Sequence, residues 1–192
     1  MKRILFAVVM TAFPLAAVAG DSPMVNELHY KHHGDFDAVC SQESVTSKFA
    51  GWDEVPIRCE IGISRTTPEY PHLGTVNVGA DTVVFHMYRD AYEYSYFGYT
   101  IERRGEVLWR LPASAQKDHG HGNPISGADR AAFMVAMSKA AKGGGVLRLR
   151  FKVAYSGDAP PIDLQIPARR WTAALRDVRR TSRKLGLSTA PW

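Results

Sequence analysis

Five of the seven histidines fall in two short groups, His29-x-x-His32-His33 and His119-Gly120-His121. Imidazole suits zinc, copper and nickel, so a divalent metal is the first chemistry the sequence offers. Neither group is framed by a cysteine or carboxylate at fixed ligand spacing, and short His/Gly segments serve equally well as solvated turns. No metal ligand and no cofactor is therefore assigned. The two cysteines, Cys40 and Cys59, are not a C-x-x-C redox pair and have no adjacent histidine. An even cysteine count in an exported chain points to a disulfide. Tyr92, Tyr94 and Tyr96 alternate with Glu93 and Ser95, so in a strand three phenols line one face, with Phe97 and Tyr99 on the other. Tyrosines of this kind are favoured at interfaces. A fourth constellation lies near the end of the chain, where Arg176, Arg179, Arg180 and Arg183 oppose an apolar stripe of Trp171, Ala174, Leu175, Val178 and Leu185. Such a helix can dock by its stripe and present its cations to an acidic partner or an anionic surface. No nucleophile elbow, H-E-x-x-H, P-loop or dinucleotide fingerprint occurs, and no carboxylate pair stands out for acid/base work, so no catalytic residue is assigned.

Composition limits what can position these groups. Met1-Lys2-Arg3, an apolar run over 4–17 broken only by Thr11 and Pro14, and Ala17-Val18-Ala19-Gly20 have the layout of a secretory signal peptide over 1–20. The apolar run is shorter than the roughly 20 residues a spanning helix needs, so no transmembrane segment is expected after cleavage. Residues 21–192 are expected to form one soluble domain, periplasmic or secreted. The formal charge of +5 falls to +3 without Lys2 and Arg3. From Ala168 onward seven cations face one acid, Asp177, leaving residues 21–167 net acidic. A basic balance confined to one helix argues against a nucleic-acid binder.

The periodicities give an α+β reading, a mostly antiparallel β-sheet or sandwich with two helices in the C-terminal half. Residues 21–51 read as an extended polar arm with at most one short strand. Strands follow over 55–63, 73–78 and 82–88, then a hairpin of 94–103 and 106–111 around Arg104-Gly105, then a Gly/His loop over 113–124. Ser126 is placed to cap a helix running to Lys142, with Phe133, Met137 and Ala140 as its stripe and Gly143-Gly144-Gly145 as its stop. The strand over 146–155 alternates Leu147, Leu149, Phe151, Val153 and Tyr155 with Arg148, Arg150 and Lys152. After a turn at 156–161, a short strand over 162–166 sets Asp163 opposite one of those cations. The last helix begins near Ala168 and ends at Gly186.

Two stretches carry a resemblance. Gly51-Trp52-Asp53-Glu54-Val55-Pro56-Ile57-Arg58-Cys59-Glu60 resembles the early segment ending in Arg-Cys-Glu of the invasion-associated locus B family, and the corresponding strand of the VasI/TagO family associated with type VI secretion. The order of helix, Gly turn, long strand, short strand and Trp171-Thr172-Ala173-Ala174-Leu175 helix resembles the end of both. The chain departs from the first in lacking a later cysteine pair, from the second in lacking a C-terminal cysteine, and from both around Ala168-Arg169-Arg170, where a glycine is expected. The resemblance implies a non-catalytic exported accessory protein with a sheet-and-helix fold, and brings no catalytic residue.

The expected function is accordingly a periplasmic or secreted binding protein acting through a protein or an anionic cell-envelope component, with Tyr92, Tyr94, Tyr96, Arg176, Arg179, Arg180 and Arg183 as binding residues. The alternatives are a periplasmic metal-binding protein using the histidine groups and an envelope hydrolase without a recognised motif.

Overall fold

A computed structural model describes residues 24–45, 53–54, 56–64, 75–86, 94–115, 124–153 and 162–192. The signal-peptide reading, His119, His121 and Tyr92 lie outside them. Among the described residues, eleven strands form two antiparallel sheets, and two α-helices lie in the C-terminal half. The fold is thus α+β, as the periodicities indicate.

The first sheet contains β1 (Met24–His32), β2 (Phe36–Val45), β4 (Arg58–Ser64), β5 (Thr75–Val78), β6 (Thr82–His86) and β9 (Ile125–Ser126) in that spatial order, with β3 (Asp53–Glu54) beside β2. The second runs β11 (Ile162–Pro167), β10 (Val146–Val153), β7 (Tyr94–Arg103), β8 (Glu106–Arg110). Helix α1 (Gly127–Gly143) leaves the first sheet at β9 and delivers the chain into β10 of the second. Helix α2 (Trp171–Lys184) lies across β1, β2 and β4.

The extended arm expected over 21–51 is instead a hairpin of two long strands, paired from Met24↔Ser44 to His32↔Asp37. The signal was present but diluted. Phe36, Ala38 and Cys40 alternate into the core at 0 % exposure, whereas β1 is an edge strand with polar outer residues and an exposed Leu28 and Tyr30. An edge strand can be almost wholly polar and still hydrogen-bond along its inner side. Cys40 stands directly opposite Cys59 in the β2–β4 register, and the two form a disulfide with Cα atoms 4.0 Å apart.

Ser126 occupies the N-cap position of α1 with the extended backbone usual there, but its side chain makes no cap hydrogen bond, and its backbone pairs with Thr82 as the last residue of β9. At the other end, Gly144 adopts a left-handed conformation and closes α1, which favours glycine for want of a Cβ. Gly145 answers to a different constraint. A Cβ there would stand 2.4 Å from the Glu102 carbonyl oxygen and 2.8 Å from the Ala140 Cβ. Only glycine lets β7 and the end of α1 come this close.

The strand pattern around β10 holds for the described side chains. Leu147 and Leu149 are buried, and Arg148 lies on the opposite face, with its guanidinium 2.8 Å from Glu102 Oε2 and 3.1 Å from Asp163 Oδ1. Asp163 also reaches Arg150 at 3.4 Å, so it serves two of the three cations. The core is knitted by a run of aromatic contacts. Phe36 meets Trp171 with ring centroids 6.0 Å apart, Trp171 meets Phe133 at 6.4 Å, Phe133 meets Trp109 at 5.1 Å, and Phe85 stacks on Trp109 at 5.9 Å. Phe85 then meets Tyr99 at 4.8 Å. Tyr99 is almost fully buried, and that burial pushes its phenol well above the usual range.

Candidate functional site

The two faces of α2 define the site. Trp171, Ala174, Leu175 and Val178 are buried, and Trp171 is fully enclosed, its indole nitrogen donating to Ser138 Oγ at 3.4 Å. At 100° per residue this stripe covers the core side and leaves Arg176, Arg179, Arg180 and Arg183 exposed on the other. The sequence places this helix correctly, except that a three-residue 3-10 turn, Ala168–Arg170, precedes it.

The four arginines are not equivalent. Arg179 donates to the backbone oxygen of Trp192, and Arg180 to Asp177 Oδ1. Arg176 and Arg183 form no ion pair with any described residue. Two arginines are therefore engaged within the fold, and two have no ion pair among the described residues.

Asp177 is the residue that sequence reasoning missed. It looked like the single acid of a basic face, yet it is only 4 % exposed. It follows Ala174 by three residues and precedes Thr181 by four, so it lies on the row of α2 that borders the core. His29 Nε2 and His33 Nε2 approach its Oδ2 at 3.2 and 3.3 Å, from β1 and from the turn after it. Burial alone would raise this carboxyl, but the hydrogen bonds from His29, His33 and Arg180 outweigh it and hold the group below the ordinary carboxylate range. His29 and His33 thus clamp the edge hairpin to α2. His32 turns away and meets Asp37 Oδ1 at 2.7 Å. Among the described residues no group of three or more His, Cys, Asp or Glu is arranged to hold a metal ion.

Compared with protein-family models, curated proteins and solved structures, the chain matches none.

Beside the clamp a recess of about 210 Å³ opens between Lys31, Arg176 and Arg180. Its acid, Asp177, pairs with Arg180 and accepts from His29 and His33, while Lys31 and Arg176 form no ion pair with a described residue. Tyr94 and Tyr96 lie in β7 opposite Val153 and Lys152 of β10, with Tyr92 before them in the chain. Arg130 was also unforeseen. It is 8 % exposed, donates twice to the Gly79 carbonyl at 2.8 and 3.1 Å, and stands 5.8 Å from the centre of the Trp192 ring. Burial lowers its guanidinium below the usual value, and the carbonyl and ring together offset that cost. No helix among the described residues is long and apolar enough to cross a membrane.

Proposed function

We propose that the chain is a non-catalytic binding protein of the periplasm or extracellular space, and that it engages an acidic protein or anionic envelope partner through the arginine face of α2. One observation carries the reading. The helix is anchored by Trp171, Leu175 and Val178 on one side, while Arg176 and Arg183 stand exposed and without an ion pair among the described residues on the other. Exposed cations without an ion pair among the described residues are available to a partner, and their attraction is long-ranged and screened by salt. The Cys40–Cys59 disulfide supports an oxidising compartment. The resemblance to exported accessory families agrees with this reading.

The test is the double reversal R176E/R183E. Thermal unfolding should be unchanged within about 0.5 kcal/mol, as for exposed surface substitutions. Binding to poly-glutamate, or to vesicles containing phosphatidylglycerol, should weaken severalfold, and the wild-type interaction should fade toward 1 M salt. Wild-type chain that binds neither probe, or binding untouched by the reversal, would overturn the proposal.

A further inference from the structure

Helix α1 carries apolar residues on both sides. Phe133, Met137 and Ala140 face the core at 0 % exposure. Ala131 and Val135 are exposed, Met134 beside them is partly buried against the core, and Val135, 54 % exposed, is the most exposed large apolar side chain among the described residues. The outer side of a surface helix is ordinarily polar and solvated. Here the outer side opens instead on a groove of about 560 Å³ between α1 and α2, floored by Met134, Leu175 and Trp192. That volume lies within the range of sites that accept apolar anchor groups.

The rim of the groove is one-signed. Arg130, Lys139 and Lys142 from α1 and Arg179 from α2 line it, and no acid among the described residues does. Arg130 and Arg179 are committed to Gly79 and Trp192. Lys139 and Lys142 are exposed and form no ion pair with a described residue. They stand three residues apart, on one side of α1.

We infer that this groove docks an acidic amphipathic segment of a partner protein, its apolar side chains seated on Val135, Met134 and Leu175 and its carboxylates on Lys139 and Lys142. This is the helix-in-groove mode of recognition, in which a few apolar anchors give affinity and flanking charges set partner choice. The inference rests on the binding reading above and gives that partner a chemistry and a seat. The commitment to an acidic segment follows from charge complementarity, because a neutral or basic segment would leave the rim unpaired.

The experiment uses the full chain and three synthetic peptides of about four helical turns: one with a leucine face and a glutamate face, one with lysine for glutamate, and one with serine for leucine. Amide chemical shifts of the labelled protein report where each binds. The Leu/Glu peptide should bind with Kd on the order of 10–100 μM and shift residues around Met134, Val135, Lys139 and Lys142 and the Trp192 indole. The Leu/Lys and Ser/Glu peptides should bind at least about tenfold more weakly. V135D changes an exposed side chain, so the fold should survive, as its unfolding midpoint will show, while affinity for the Leu/Glu peptide drops about tenfold or more. K139E/K142E should do the same through charge. Equal binding of the Leu/Lys peptide, absence of Leu/Glu binding, or binding unaffected by V135D overturns the inference. So does V135D-sensitive binding to phosphatidylglycerol vesicles without peptide binding, which would make the occupant lipid. If R176E/R183E abolishes binding and V135D does not, the arginine face stands and the groove falls. If V135D abolishes binding and R176E/R183E does not, the groove stands without that face.

Discussion

Replacing Asp177 by Asn should loosen the edge hairpin from α2, and the size of the effect follows from the contacts. Oδ2 accepts from His29 and His33, and Oδ1 from Arg180. Asparagine keeps the shape and one acceptor but loses the charge. Hydrogen bonds to an ionised acceptor are about twice as strong as neutral ones, so each histidine bond should lose roughly 1 kcal/mol. Arg180 is 60 % exposed and its pairing adds little after solvent screening. The expected cost is about 2 kcal/mol at pH 7, a fall in Tm of roughly 4–8 °C for a chain of this size. Because the folded carboxyl sits below its ordinary value, the stabilisation is complete above the unfolded carboxyl pKa of about 3.9 and is lost as pH falls through the folded value. Urea titrations of Asp177→Asn and wild type should therefore show a gap that holds at neutral pH and closes in acid. No gap at pH 7, or one that persists undiminished at the acid limit of folding, would refute the clamp.

Trp171→Ala should cost about 3–5 kcal/mol, the range for a fully buried indole, measured by denaturant unfolding. If it leaves stability alone and removes vesicle binding instead, α2 is a surface element and not a core helix. Gly145→Ala should destabilise by more than the loss of a glycine alone explains, because its methyl meets the Glu102 carbonyl oxygen; the change should appear as shifts in β7 amides. A thiol assay on unreduced, denatured protein should find no free cysteine, and the C40A/C59A variant should be less stable by roughly 3 kcal/mol in the chain-entropy account.

Legibility in the sequence followed local period. The hairpin around Arg104-Gly105, the alternating strand from Val146, the Gly stop of α1 and the stripe of α2 each carry their own pattern within a dozen residues, and each stands where the pattern puts it. The β1–β2 hairpin was illegible because an edge strand need not alternate and its partner's signal, Phe36-x-Ala38-x-Cys40, has only three positions. Ser126 stands at the N-cap position that the pattern gives it, but it ends a strand there and its hydroxyl makes no cap bond. The candidate site divides the same way. The arginine face is a property of one helix and could be read directly. The role of Asp177 depends on two histidines 144 and 148 residues away in sequence, a separation no helical wheel contains. The outer apolar side of α1 was hidden by the search for a single stripe, since Ala131, Met134 and Val135 interleave with the residues that face the core.

The aromatic run from Phe36 through Trp171, Phe133 and Trp109 to Phe85 and Tyr99 draws on both sheets and both helices. No sheet can open without parting at least one of these ring pairs, since β2 and β6 belong to one sheet and β7 and β8 to the other. Regions that share their most buried contacts open together. Amide exchange should accordingly show the centres of β2, β6, β7 and α1 in one slow class, released only by global unfolding. The outer edge β1, tied down by His29 and His33, should form a faster class of its own. A partner gripping α2 would be holding the element that joins the two, so its binding should be read out as slower exchange along β1.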